Sequence, residues 1–168
     1  PVEFPDNSQE RYPPSSLKDK NGNLWFGCQD GTIWFFENSV LRQIPVLNQR
    51  AIVTILEGPD RFVYAFPQVD EVLKINPDDP SDIKSLSLNS GMLLFSACFS
   101  GSGDLLLGTQ ENITIAGIEN DSLTIRGTIS EFDYASITAI RRILKTNTYL
   151  AGTNGSGIYK LAFTEGDT

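Results

Sequence analysis

The sequence predicts an all-β protein, a β-propeller built from four blade repeats of about 40–44 residues. The first observation behind this is a recurring anchor of an apolar triplet, a glycine and a small residue. It appears as Leu24-Trp25-Phe26-Gly27-Cys28, Leu105-Leu106-Leu107-Gly108-Thr109 and Tyr149-Leu150-Ala151-Gly152-Thr153, with Phe62-Val63-Tyr64-Ala65-Phe66 as a further copy carrying Ala65 in the glycine position. The second is spacing: those small residues, at 27, 65, 108 and 152, stand 38, 43 and 44 apart, a period that in propellers holds about four short strands. The third is turn chemistry. Asn21-Gly22 and Asp30-Gly31 tolerate positive φ and sit between runs of β-branched and aromatic residues, as in type I′ hairpins. No segment shows the 3.6-residue period of a helix.

In chain order, residues 1–14 read as one strand, Val2 to Phe4, and a Pro-rich connection ending at Pro13-Pro14. The first blade covers 15–44, with strands near Ser15 to Lys18, Asn23 to Cys28, Thr32 to Phe36 and Val40 to Ile44. The second, 51–88, turns at Gly58-Pro59-Asp60 and reaches its outer strand, Ile83 to Leu88, through the loop Asn76 to Asp82. The third covers 93–128 around the Gly101-Ser102-Gly103 turn, and the fourth covers 137–163 without an outer strand. The whole, 1–168, is expected to be a single propeller domain or segment, in which Val2 to Phe4 pairs beside Ile158 to Phe163 and completes the fourth blade. A β-sandwich would also give many short strands, but not a recurring glycine position.

Composition narrows the function. Thirteen basic and twenty-one acidic side chains give a net charge of −8, the wrong sign for nucleic acid or an anionic membrane surface. No apolar run approaches the ~18 residues of a membrane span. The chain opens on Pro1 with no initiator Met or signal-like stretch, as a segment of a longer or processed protein would. Cys28 and Cys98 read as small buried residues and not as a bridge. Histidine is absent, which removes the commonest proton shuttle and catalytic metal ligand.

The segment Leu17-Lys18-Asp19-Lys20-Asn21-Gly22-Asn23-Leu24-Trp25-Phe26-Gly27-Cys28 resembles the two-component regulator propeller repeat, with its acidic residue, Gly turn and Asn-Leu-Trp-Ile/Phe-Gly-Thr. Cys28 stands where the family has Thr, whereas Thr109 and Thr153 keep it; the third and fourth repeats lack the Trp. The resemblance implies a periplasmic or extracellular sensor region of a larger, membrane-anchored bacterial signalling protein, often one that recognises carbohydrate. Bacterial propeller lyases with similar repeats are the enzymatic alternative, but those are expected to use His.

Local motifs add no chemistry of their own. Asp19 to Asp30 has the length of a calcium loop but Leu24 where that loop requires Gly, so it reads as a hairpin turn, and no metal or other cofactor is expected. Asp78, Asp79 and Asp82 read as a solvated turn, Gly101-Ser102-Gly103 as a turn and not a phosphate cradle, and Trp25 and Trp34 as core. No nucleophile–base pair stands out, so no catalytic residue is assigned. Binding sites on propellers gather in loops at one end of the channel. The second-to-third-strand turns and inter-blade connections would collect Gln29, Asp30, Gln68, Gln110 and Asn154, with Arg11, Tyr12, Gln49, Arg50, Phe132 and Tyr134 nearby. Amides, arginines and aromatics suit a polyhydroxylated ligand, and a protein partner almost as well. The expected function is a non-catalytic sensor module; the rival is a structural or protein-binding scaffold, with self-association through any uncovered end blade.

Overall fold

The computed structural model describes residues 13–44, 50–69, 71–144 and 146–163. Among the described residues fifteen strands form four antiparallel sheets, each taken from one continuous stretch of chain. The first contains β1 (Ser15–Lys18), β2 (Leu24–Gly27), β3 (Ile33–Glu37) and β4 (Val40–Ile44). The second contains β5 (Ile52–Glu57), β6 (Val63–Pro67), β7 (Glu71–Ile75) and β8 (Ile83–Ser87). The third contains β9 (Ser96–Phe99), β10 (Leu105–Gly108), β11 (Ile113–Glu119) and β12 (Ser122–Ile129). The fourth contains β13 (Ile137–Arg142), β14 (Thr148–Thr153) and β15 (Ile158–Ala162). No helix occurs among the described residues, so none is long and apolar enough to cross a membrane. The expected strand Val2 to Phe4, and with it the expected completion of the fourth sheet, lies outside the described residues.

The chain divides into two compact units, Pro1–Gln68 with Val72–Ser85, and Val69–Glu71 with Leu86–Thr168. In the first unit a core of Trp25, Ile33, Phe35, Ile44, Ile52, Ile55, Val63, Ala65, Leu73 and Ile75 joins the first and second sheets. In the second, Leu106, Ile113, Ile115, Phe132, Ile137, Ile140, Tyr149 and Ala151 join the third and fourth. Burying each such aliphatic side chain contributes about 1.5–3 kcal/mol, and sheets covered on both faces favour near-continuous apolar strands such as Leu105-Leu106-Leu107.

One joint recurs within each unit. In the first, the Ile52 amide donates to the Cys28 carbonyl (3.0 Å) and the Ser15 hydroxyl donates to the Ile52 carbonyl (3.3 Å). In the second, the Ile137 amide donates to the Thr109 carbonyl (2.9 Å) and the Ser96 hydroxyl donates to the Ile137 carbonyl (2.7 Å). Gly27 and Gly108 sit at these joints. A Cβ on Gly27 would collide with the Ile52 side chain and stand 2.7 Å from Ser15 Oγ; one on Gly108 would collide with Ser96 Oγ and stand 2.7 Å from the Ile137 carbonyl oxygen. The recurring glycine is therefore the space through which the next sheet's first strand closes.

Register corrects one alignment. Gly27, Gly108 and Gly152 pair with Ser15, Ser96 and Ala139 on the first strands, three residues past Leu24, Leu105 and Tyr149, which pair with Lys18, Phe99 and Arg142. In the second sheet Glu57 pairs with Val63, so the residue three further on is Phe66, opposite Thr54, and Ala65 is one position early. The run Phe62 to Phe66 is apolar throughout and carries no phase; the turn sets it. The hairpin turns also differ from the expected type I′. Gly22 and Gly31 take positive φ, but Asn21 and Asp30 do not. The left-handed place held by Gly22 is held by Arg61 (φ 70°) and Gly103 in the next two repeats, closing turns in which its amide donates to Asp19, Gly58 and Ser100 respectively. Two-residue turns with both φ values positive fall instead at Asn38-Ser39 and Asn120-Asp121, between Glu37 and Val40 and between Glu119 and Ser122.

Candidate functional site

The expected loop end exists separately in each unit, because the joints draw it together. In the first unit the Gln68 amide donates to the Ala51 carbonyl (2.9 Å), beside the Ile52–Cys28 bond, so Gln68, Arg50 and the Gln29-Asp30 turn share one end. Gln29 and Arg50 are exposed there, and Asp30 builds its own turn by accepting from the Thr32 amide (3.0 Å) and hydroxyl (2.6 Å). The cavities described in this unit lie elsewhere. One of about 260 Å³ is lined by Phe35, Arg42, Gln43, Ile44, Asp79, Pro80 and Ser81, and a smaller one adjoins the Asp19 to Asn21 turn. Ser81 holds Asp79 below the usual carboxylate range by hydrogen bonds from its hydroxyl and then its amide, which is loop-building chemistry. Arg11, Tyr12 and Gln49 lie outside the described residues.

In the second unit the corresponding end carries a cleft of about 400 Å³ lined by Glu111, Asn112, Ser130, Glu131, Asp133 and Tyr134. The turn β10–β11 supplies the first two and the connection β12–β13 the rest. A tight turn shapes the latter: the Ala135 amide donates to the Phe132 carbonyl (3.0 Å), and Asp133 and Tyr134 both take left-handed φ, 47° and 57°. That geometry drives Phe132 and Ala135 inward and pushes Asp133 and Tyr134 out. Phe132 is fully buried, with its ring edge-on to Tyr159 at 5.1 Å, so it offers no face to a ligand and is corrected to a core residue. Tyr134 is 88% exposed. Gln110 and Asn154 are exposed at the same end; neither lines the cleft, and the Asn154 amide donates to the Ser136 carbonyl (2.9 Å).

Asn112 is oriented by its neighbours. Its Oδ1 accepts from the hydroxyls of Thr109 (3.0 Å) and Thr114 (3.2 Å), which leaves its amide nitrogen as the donor for a ligand. Asp133 Oδ2 accepts from the Tyr159 hydroxyl at 3.2 Å, and the Tyr159 phenol is raised above its ordinary pKa, first by burial and then by that carboxylate. Among the described residues three carboxylates and no cation line the cleft, a lining that favours hydroxyl or ammonium donors and disfavours anions. Among the described residues no group of three His, Cys, Asp or Glu side chains converges to hold a metal. Both cysteines are free; Cys28 is buried as expected, but Cys98 is only half-buried, its thiol pushed up by burial. Of the expected site residues, then, Tyr134 lines the cleft. The acidic lining escaped sequence reasoning because an acid flanking a turn has the same pattern whether it faces a cleft or open solvent.

No family model matches the sequence, and no curated protein matches it. Solved structures are similar. Virginiamycin B lyase from Staphylococcus aureus matches with a TM-score of 0.70 at 15% identity, over 96% of this chain and 58% of that one. The extracellular domain of the hybrid two-component system BT4673 from B. thetaiotaomicron matches with a TM-score of 0.71 at 18% identity, over 94% of this chain and 22% of that one. The WD40 β-propeller domain of Doa1 matches with a TM-score of 0.71 at 12% identity, over 90% and 50%. The four sheets are propeller blades, and the chain spans less than two thirds of each of these proteins. At such identities the likeness is one of fold.

Proposed function

We propose that this chain is a non-catalytic, extracytoplasmic ligand-sensing propeller module that binds a neutral or amine-bearing glycan, or a similar polar ligand, in the Glu111–Tyr134 cleft. The observation that carries this reading is the lining itself: an oriented amide, a serine, three carboxylates and an almost fully exposed tyrosine ring. Carboxylates and amides bond sugar hydroxyls while an aromatic face covers the ring's C–H surface. The resemblance of the first repeat to sensor propellers supports the class, as does the likeness to the BT4673 extracellular domain. The likeness to virginiamycin B lyase supports an enzymatic rival, against which stand the absence of histidine from all 168 residues and of any nucleophile–base pair among the described residues that line the cleft. The near-complete exposure of Tyr134 and Leu144 (89%) favours a protein-binding scaffold as second reading.

Amide-shift mapping with neutral, amino and uronic-acid oligosaccharides tests it. Saturable shifts at Glu111, Asn112 and Glu131 to Tyr134 with the first two classes are expected, and Tyr134→Ala should weaken them by roughly tenfold. A response to the uronates alone, or to none of the three, overturns the glycan reading.

A further inference from the structure

The cavity between β4 and the loop from Asn76 to Asp82 lies wholly within the first unit, and its two walls carry opposite charges. Its volume of about 260 Å³ falls just below the ~300–1,000 Å³ of sites for drug-sized ligands, which suits one small metabolite. Register builds the first wall. Leu17, Trp25, Phe35 and Arg42 form one cross-strand row, and residues of a row share a face, so Arg42 leaves β4 on the side where Trp25 and Phe35 meet the second sheet. The blade itself does not call for a cation there: in the third sheet the row of Leu106 and Ile115 ends on Gly127. Buried Phe35 and Ile44 give this wall an apolar floor. The second wall is fixed by its own turn chemistry. Pro77 and Pro80 set φ, the Asn76 amide donates to the Asp82 carbonyl (3.1 Å), and the Asp82 amide donates to the Asp79 carbonyl (2.9 Å). Ser81 donates its hydroxyl (2.6 Å) and its amide (3.2 Å) to Oδ1 of Asp79, which keeps that carboxyl ionised at neutral pH and leaves Oδ2 for a ligand. Arg42 and Asp79 are both exposed and form no ion pair with each other, and among the described residues Arg42 has none with any other acid.

We propose that this cavity binds a free α-amino acid with an aliphatic side chain, its carboxylate on Arg42, its ammonium on Asp79 and its side chain over Phe35, Ile44 and Pro80. A simple anion drawn to Arg42 would meet the fixed Asp79 carboxylate, and a simple cation drawn to Asp79 would meet Arg42. A zwitterion satisfies both at once. The planar guanidinium gives a carboxylate two parallel N–H donors, and Oδ2 of Asp79 accepts from the ammonium. The floor offers no polar partner from the Phe35, Ile44 or Pro80 side chains, so a charged ligand side chain would be desolvated without compensation and is disfavoured. A peptide offers the two charges at opposite ends of its chain, which excludes all but the shortest.

The test titrates L-leucine into the isotope-labelled full chain and follows amide shifts. Saturable shifts are expected at Arg42, Ile44, Asp79 and Ser81 at low-millimolar concentration. Leucinamide, which lacks the carboxylate, and N-acetyl-leucine, which lacks the ammonium, should each bind at least about tenfold more weakly, and L-glutamate and L-lysine several-fold more weakly. Arg42→Gln and Asp79→Asn should each cost leucine about tenfold or more. Asparagine keeps an oxygen for Ser81, and both positions are exposed, so the variants should melt close to the parent. Three outcomes overturn the proposal: no saturation by leucine up to roughly ten millimolar; leucinamide or N-acetyl-leucine binding as tightly as leucine; or either variant binding leucine as the parent does.

Discussion

The two units use one backbone joint and fill it with different chemistry. In the first, Trp25 packs at a tilt against Phe35, with ring centroids 4.5 Å apart, and donates through Nε1 to the buried Asp19 carboxylate (2.9 Å), while the turn beside it is held by Glu57, which accepts from the Lys20 amide at 3.2 Å. In the second, Leu106 replaces the tryptophan, Ser100 replaces Asp19, and the turn is held when the Gly101 amide donates to the Tyr149 hydroxyl (2.9 Å). What both share is the glycine, the serine opposite it and the isoleucine of the next first strand. The joint is set by backbone approach and the filling is replaceable, which is why one repeat carries a recognisable motif and the others carry only its spacing.

The widest separation between joint and filling should come from alanine at the three glycines. Gly27→Ala and Gly108→Ala are expected to cost about 1–3 kcal/mol each, since the atoms in the way are a fully buried isoleucine and a backbone carbonyl. Gly152→Ala should range from neutral to stabilising by up to about 1 kcal/mol, through the unfolded chain's lost freedom. Both tryptophans lie in the first unit, so their fluorescence in a denaturant titration should register Gly27→Ala, while amide signals follow the second unit. Equal losses at all three positions would dissolve the distinction.

A smaller effect probes the filling. Asp19 is 6% exposed and also accepts from the Asn23 amide (2.9 Å) and side chain (3.2 Å), so Asp19→Ala strands the buried Trp25 N–H and should cost about 1–3 kcal/mol. Ser100 at the same turn position accepts from the Asp104 amide (2.9 Å), and Ser100→Ala should cost about 0.5–1.5 kcal/mol. Thermal melts of the pair check the order, and a Ser100→Ala loss as large as that of Asp19→Ala would mean the turns are not equivalent in the way the register shows.

Strand positions were legible because turn residues bracket short apolar runs, and the structure moves most ends by one or two residues. The exception is the start of β9, where Leu93 makes only an isolated bridge to Val69 and the strand begins at Ser96. The glycine position was legible in three repeats. In the second, the uniformly apolar Phe62 to Phe66 hid a one-residue slip that only the Glu57–Val63 pairing reveals. At the candidate site the cleft lies at a loop end that the sequence singles out, but of its lining only Tyr134 was legible. Phe-Asp-Tyr-Ala at 132–135 contains no glycine to announce a turn with two left-handed residues, yet that turn decides that Phe132 is core and Tyr134 surface.

The shared joint is tested most directly by native-state hydrogen exchange at the Ile52 and Ile137 amides. If their bonds to the Cys28 and Thr109 carbonyls hold the blades of each unit together, both amides should exchange only through unfolding of their own unit, as slowly as the central-strand amides of Val63 and Leu106. Exchange of either isoleucine at the rate of the exposed Gln29 or Gln110 loops, with the central strands still protected, would contradict the account.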